Sequence, residues 1–201
     1  MSLLMRVELP DVPGSLGRLA TAIGSAGGDI EALEIVEKRY DGTAVDDVLL
    51  ETPPGVMPDS IVSACNALDG VRVVWISRYA AGNNLFLDLE VVEELTAAPQ
   101  TAFERLVDLL PVTFRCEWGA WVGPGDEVLR ATEGAPSEVR FAAVERPVRL
   151  DPEDDVDVRC AAPLTGKEIV VIGRRGGPEF LDSELARLGH LAALAASIAK
   201  S

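Results

Sequence analysis

The sequence is poor in the side chains that most often carry catalysis. Its 201 residues include a single histidine, His190. A general base needs an orienting partner and a nucleophile or substrate beside it, and the flanking Gly189 and Leu191 supply neither. We therefore expect no catalytic activity and an ordinary buried or surface position for His190.

Cysteine and metal-ligand patterns are also scarce. Cys65, Cys116 and Cys160 are far apart and odd in number, without the paired spacing of a zinc site or a disulfide framework. The acidic run at residues 151–157 lacks the glycine and the terminal glutamate of a calcium loop. We predict three buried apolar cysteines, a solvated acidic loop, no metal and no cofactor.

The sequence also has few positively charged residues and no long apolar runs. Lys and Arg total 18 against 33 Asp and Glu, which gives a formal net charge of −15. Without a basic patch, neither nucleic acid nor an anionic membrane is an expected partner. No apolar run reaches the roughly 18–20 residues that span a bilayer, and no secretory leader pattern opens the chain. We predict a cytoplasmic globular protein.

The most informative segment present is residues 9–30. An apolar strand ends at Pro10, and a short loop leads into an apolar helix pattern that Gly27 and Gly28 end. Within the loop, Pro13 fixes φ, and Gly14 lets backbone approach a ligand closely. The residues that share one face of the predicted helix are Leu16, Leu19, Ala20 and Ile23.

This loop has two interpretations. Free backbone N–H groups of a helix N-terminus beside the Asp11 carboxylate suit a zwitterion such as an amino acid, whose carboxylate meets the amides and whose ammonium meets Asp11. Alternatively, the loop is a strand-to-helix turn in which Asp11 caps the helix. Residue chemistry alone favours the turn.

The pattern over the first 80 residues predicts the order β-α-β-β-α-β. A strand at 31–38 and a strand at 44–51 flank a turn signal at 40–43, and a second helix follows with Asp59 or Ser60 as its cap. A last strand spans 71–76. Two helices on one face of a four-stranded antiparallel sheet form a ferredoxin-like arrangement.

Residues 5–79 resemble an ACT domain, and we assign residues 1–80 to an ACT-like regulatory domain that binds an amino acid. The resemblance implies a homodimer in which the loop of one copy faces the helix-to-strand entry of the other. Family members often carry Asn where this chain has Asp29. The positions that match are Asp11, Pro13, Gly14, Leu16, Ala20, Ile23, Gly27, Asp29 and Ile30, and the implied ligand-binding residues are Asp11, Val12, Pro13, Gly14, Ser15, Leu16, Asp29 and Ile30.

The remainder of the chain has a different pattern. Residues 81–98 read as a linker and helix, and a second helix is expected at 103–110. Strands are predicted at 113–122, 127–132, 139–144, 157–163 and 168–174, before a closing helix at 184–200. Trp118 and Trp121 should point to opposite faces of their strand. The run Gly173–Gly177 lacks the Lys-Ser/Thr of a phosphate-binding loop, which favours a turn with two exposed arginines.

The chain end resembles the last third of a GAF domain, in which a strand leads through a turn with Phe180 into the closing helix. We therefore predict a GAF-like antiparallel sheet flanked by helices at 99–201, and an α+β chain overall. The two resemblances together imply a non-catalytic regulatory protein that senses a free amino acid. The alternative is a ligand-free adaptor or regulatory subunit that docks on an enzyme of amino-acid or central metabolism.

Overall fold

The computed structural model describes residues 1–78, 87–151 and 157–200. The chain divides into two compact units, Met1–Gly82 and Asn83–Ser201. In the residues described, both units are mixed α and β, and each has one antiparallel sheet. Among the described residues, no helix has the length and apolar character needed to cross a membrane.

The first unit packs two helices on a four-stranded antiparallel sheet of order β2-β3-β1-β4. Met5 and Val7 of β1 face the helices and are fully buried in a core that also contains Leu19 of the first helix and Ile61 of the second. Successive side chains of a strand point to opposite faces of the sheet, and Leu4 on the other face of β1 is also buried, at 0% exposed. The elements are β1 Ser2–Pro10, α1 Ser15–Ser25, β2 Asp29–Lys38, β3 Thr43–Glu51, α2 Pro58–Asn66 and β4 Arg72–Arg78.

The start of α2 differs from the sequence prediction. Its N-cap is Met57, and no side chain caps the helix. Asp59 lies in the first turn instead, where a carboxylate interacts favourably with the helix dipole. The Ser60 hydroxyl donates to the Met57 carbonyl oxygen at 2.7 Å. The predicted capping role of Asp59 or Ser60 is therefore wrong.

The second unit has a five-stranded antiparallel sheet of order β6-β5-β9-β8-β7. Its three helices pack with one face of the sheet into an apolar core. Its elements are α3 Leu87–Ala97, a 3-10 turn Pro99–Thr101, α4 Ala102–Phe114, β5 Trp118–Gly123, β6 Glu127–Ala131, β7 Val148–Leu150, β8 Asp157–Pro163, β9 Ile169–Arg175 and α5 Asp182–Ile198. Trp118 and Trp121 belong to the clusters on opposite faces, as predicted.

Helix α4 extends past residue 110, where the sequence predicted its end. Pro111 lies inside the helix, and the predicted strand at 113 starts only at Trp118. The last turn persists because Thr113 and Phe114 are buried, and the Thr113 hydroxyl donates to the Leu109 carbonyl oxygen at 2.8 Å. Arg115 then ends the helix with φ 50°, in the left-handed region.

The predicted strand at 139–144 is wrong. Residues 132–147 contain no helix or strand. Val139, which is 2% exposed, and Phe141 pack across the face of the sheet that the helices leave open. The Phe141 amide donates to the Asp126 carboxylate at 2.7 Å rather than to a neighbouring strand. These apolar residues are buried by covering the sheet and not by extending it.

Candidate functional site

The loop between β1 and α1 is held by main-chain hydrogen bonds. The Asp11 amide donates to the Gly42 carbonyl oxygen at 2.8 Å, which ties the loop to the β2–β3 hairpin. The Val12 amide donates to Pro10 at 2.9 Å, and the Ser15 amide donates to Val12 at 3.2 Å. The side chains of Val12 and Pro13 are exposed. The loop is therefore a defined surface feature that displays both side chains and backbone.

The N-terminus of α1 carries no side-chain cap. The N-cap residue is Gly14, with φ 90° and ψ −9°, and no side chain bonds to the first turn. The interpretation of Asp11 as a cap is therefore wrong. The first amides of a helix have no carbonyl partner within the helix, so those of Leu16 and Gly17 depend on water or a ligand. A Cβ built on Gly14 would meet nothing within 4 Å, so this end of the helix is open.

Asp11 is paired in a way that the sequence did not indicate. The Lys38 ammonium donates to both carboxylate oxygens of Asp11, at 2.9 and 3.0 Å. The two residues are separated by 27 positions, and the hairpin tie at Gly42 brings them together. Both side chains are exposed, at 59% for Lys38 and 38% for Asp11. An exposed pair of this kind contributes about 0.2–1 kcal/mol.

Asp46 is a second carboxyl group in this part of the unit. It lies on β3 opposite Val7, on the helix-facing side, and is 1% exposed. Its Oδ1 has no hydrogen-bond partner among the described residues. Burial raises the pKa of Asp46 to about 6; the charges of Asp11 and Asp47 add to the rise, and Lys38 opposes it. The burial of Asp46 is not apparent from its sequence context, because its neighbours Val45 and Asp47 continue an ordinary strand.

A shallow groove of about 450 Å³ begins at the exposed loop. Its lining is small or apolar over most of its length and has one guanidinium, Arg18, which donates to the Ser15 hydroxyl at 3.2 Å. The groove continues from the uncapped helix end along α1, so it can take the side chain of a ligand whose polar groups meet the loop. The lining residues are Gly14, Gly17, Arg18, Thr21, Ala22 and Leu68.

Asp29 and Ile30 lie far from the loop in the same chain. They begin β2 and pair with Glu51 and Leu50, whereas Lys38 at the end of β2 holds Asp11. Nine strand positions separate Asp29 from Lys38, which corresponds to about 30 Å. Within one chain the predicted site residues therefore form two groups. The first comprises Asp11, Val12, Pro13, Gly14, Ser15 and Leu16, and the second comprises Asp29 and Ile30.

The remaining residues considered for catalysis or metal binding are the histidine, the cysteines and the acidic side chains. His190 is exposed on α5. The three cysteines are free and buried; burial raises the pKa of Cys65 to about 11 and that of Cys116 to about 12, so both thiols stay protonated. Residues 1–78, 87–151 and 157–200 contain no group of three His, Cys, Asp or Glu side chains that could hold a metal ion. Most of the predicted acidic loop, 152–156, lies outside the described residues.

The predicted turn with two exposed arginines is wrong for Arg174. Arg174 lies within β9 and is 2% exposed. Its guanidinium donates to the Phe114 carbonyl oxygen at 2.8 Å, to the Pro178 carbonyl oxygen at 3.0 Å and to the Glu184 carboxylate at 2.8 Å. The same group lies 4.2 Å from the centroid of the Phe180 ring. Arg174 is thus a structural connection between β9, α4 and the start of α5.

A scan against protein-family models finds no match. The curated protein "NAD-dependent malic enzyme 1" from Bacillus subtilis (strain 168) is 27% identical over 136 residues, which are 67% of this chain and 27% of that protein. The chain thus spans about a quarter of the length of this relative.

Two solved GAF domains of phosphoenolpyruvate-protein phosphotransferases are similar in structure. The Acinetobacter domain has a TM-score of 0.47 and 9% identity, over 60% of this chain and 95% of that one. The Coxiella burnetii domain has a TM-score of 0.46 and 21% identity, over 59% of this chain and 94% of that one. With TM-scores below 0.5, these similarities carry no conclusion about ligand or activity.

Proposed function

We propose that this chain is a non-catalytic regulatory protein that binds a free amino acid at the β1–α1 loop of its first unit. The observation that carries the proposal is the uncapped N-terminus of α1, open at Gly14, with the Asp11 carboxylate on the same loop. Unpaired amides and the positive end of the helix dipole suit a carboxylate. Asp11 suits the ammonium. The groove that starts at Gly14 accommodates a side chain.

The element order and strand order of the first unit support an ACT-like, ferredoxin-like interpretation of it. In this proposal a second copy completes the site. Asp29 and Ile30 lie at the opposite end of β2 from Asp11, so they reach a ligand at the loop only from another chain. The second unit is proposed to be GAF-like and to pass the ligand signal on, either directly or to a partner enzyme in the cytoplasm.

The relative from B. subtilis suggests a setting for this regulation. That protein is named a malic enzyme, and only about a quarter of its length corresponds to this chain. We propose that the chain regulates an enzyme of central or amino-acid metabolism rather than performing the reaction itself. L-malate and NAD⁺ are therefore included as candidate ligands beside the amino acids.

A ligand-free adaptor is the second candidate, and the ion pair at Asp11 favours it. The Lys38 ammonium already occupies the carboxylate that the ligand would use. Asp29 also has no N–H₂ group to offer a ligand carboxylate. In this alternative, the loop helps the unit to dock on a protein partner.

Thermal unfolding of refolded, ligand-stripped protein tests the proposal. The panel consists of the twenty amino acids, L-malate and NAD⁺, applied to the wild type, to Asp11→Ala and to Glu34→Ala. The Glu34 variant removes one exposed carboxylate of the same unit, away from the loop. A ligand at 100 times its dissociation constant adds about 2.7 kcal/mol, or a rise of roughly 5–10 °C.

A selective rise that Asp11→Ala abolishes and Glu34→Ala retains would support amino-acid sensing and identify the ligand. A rise with L-malate or NAD⁺ alone would replace the amino acid with that ligand. No rise with any compound would favour the adaptor, and capture of the partner enzyme would follow.

A further inference from the structure

The Lys38 ammonium donates hydrogen bonds to the Asp11 carboxylate in the way proposed for the ammonium group of the ligand. Its Nζ lies 2.9 and 3.0 Å from the two oxygens of Asp11, as an amino-acid ammonium would. We infer that Lys38 is a built-in competitor: its ammonium occupies Asp11 when no ligand is bound and is displaced when a ligand ammonium binds. This inference rests on the proposed function and adds a regulatory element to the same site.

The geometry allows Lys38 to leave without disturbing the loop. The Asp11 amide remains bonded to the Gly42 carbonyl oxygen at 2.8 Å, independently of any side chain. The lysine side chain is 59% exposed and extends from the end of β2 on a flexible stem. A strongly hydrated ammonium at an exposed pair exchanges its carboxylate partner for water at little cost.

Asp46 is a second carboxyl group close enough to the Asp11–Lys38 pair to interact with both charges. It is 1% exposed, its Oδ1 has no partner among the described residues, and it interacts electrostatically with both Asp11 and Lys38. Asp47, the other acidic group that acts on it, is neutralised by Arg6 at 2.7 Å. The Lys38 ammonium thus bonds to Asp11 and acts on Asp46 only through space. When Lys38 moves away, a ligand ammonium replaces its positive charge beside Asp11. A ligand without a positive charge does not.

The size of the effect follows from the exposure of the pair. Competition from an exposed ion pair weakens ligand binding by about 1.4- to fivefold. Removal of the Lys38 ammonium should tighten amino-acid binding by that factor, because the ligand no longer has to displace it. Replacement by arginine, which retains the charge, should not tighten binding.

The experiment compares four full-length proteins: the wild type, Lys38→Met, Lys38→Arg and Lys167→Met. Lys167 is an exposed lysine of the second unit, so its variant has the same net charge as Lys38→Met and serves as the matched control. Each protein is titrated with each of the twenty amino acids, and the dissociation constants are obtained from thermal shifts and calorimetry.

The expected result is a dissociation constant that is about 1.4- to fivefold lower for Lys38→Met only. Binding by Lys38→Met with none detectable in the wild type would support the inference in its strongest form. Equal or weaker binding by Lys38→Met, with binding retained in the wild type, would overturn the competitor and leave the proposed function standing. No binding by any of the four proteins would overturn both.

Discussion

The indole of Trp118 lies against the backbone of Gly173 on the neighbouring strand. The two residues are paired across β5 and β9, and a Cβ built on Gly173 would lie 2.1 Å from Cε2 of Trp118. Trp118 is 2% exposed in the cluster that residues 132–147 cover. Gly173 is therefore required by packing, because only a hydrogen atom leaves room for the indole.

Gly173→Ala should strongly destabilise the second unit. The added methyl group overlaps a rigid ring, which must move, and overpacking of this kind costs about 1–3 kcal/mol or more. Gly166→Ala is the control, because a Cβ at Gly166 meets nothing within 4 Å. Urea unfolding followed by tryptophan fluorescence measures both variants. Equal stability of the two would show that the indole accommodates the methyl group.

Adjacent arginines on β9 should respond very differently to substitution. Arg174→Met removes a hydrogen-bond donor from the partly buried Glu184 carboxylate and from three carbonyl oxygens, so we expect the free energy of unfolding to fall by about 3–5 kcal/mol. Arg175→Met should cost less than about 1 kcal/mol, because the Arg175 side chain is 72% exposed and its pair with Asp157 is long, at 3.4 Å. Chemical denaturation of both variants is the measurement. A similar loss at both positions would contradict the structural role of Arg174.

The local sequence pattern predicted the order of helices and strands far better than it predicted contacts between residues that are distant in sequence. In the first unit, apolar spacing and the turn signal near Gly42 predicted every helix and strand in the right order, with the predicted ends within about three residues of those observed. In the second unit, Val139 and Phe141 were misassigned, because an apolar run that lies across a sheet has the same composition as a strand. The end of α4 was predicted too early, at residue 110, because burial of Phe114 in the core outweighs the hydrogen bond that Pro111 cannot make.

The candidate site was predictable only where its residues are contiguous. The open loop with Gly14 in the left-handed region follows from local sequence. The Lys38–Asp11 pair depends on hairpin geometry over 27 positions, and the burial of Asp46 depends on which face of β3 the helices cover. Neither property is encoded in the neighbouring residues, so a single sequence does not reveal them.

Asp46→Asn should change how the stability of the first unit depends on pH. The pKa of Asp46 in the folded state, about 6, exceeds its ordinary value of 3.8, because burial disfavours the charged form. The folded state therefore binds the proton more tightly than the unfolded state does. The contribution of protonated Asp46 is fully present below about pH 4 and is lost as the pH rises through 6.

Between pH 4 and pH 8, the free energy of unfolding of the wild type should thus fall by about 2 kcal/mol relative to that of Asp46→Asn. Hydrogen exchange of the β1 and β3 amides, which report on the first unit, measures the difference between the two proteins at each pH. Subtracting one protein's values from the other's removes the contributions of other titrating groups. One of these is Glu8: burial opposes the change, but hydrogen bonds from Arg39 and Arg72 lower the pKa of its carboxyl group overall. A difference that does not vary with pH would exclude titration of a buried carboxyl group at this position.

Filling the α1 groove should remove ligand binding without harming the fold. Gly14 is unsuitable for this test, because its φ of 90° strains any side chain whether or not a ligand binds. Gly17 lines the same groove in helical conformation, and a Cβ there meets nothing within 4 Å. Gly17→Leu should therefore stabilise α1 by about 0.5–1 kcal/mol while it blocks the groove.

Gly24→Leu is the matched control on the same helix. Gly24 is exposed, is equally free of contacts and does not line the groove. Both variants should unfold at a higher temperature than the wild type when no ligand is present, since leucine is the better helix former. Only Gly17→Leu should lose the further rise that the amino acid produces. If both variants keep that rise, the ligand does not use the groove; if both lose it, the helix and not the groove is responsible.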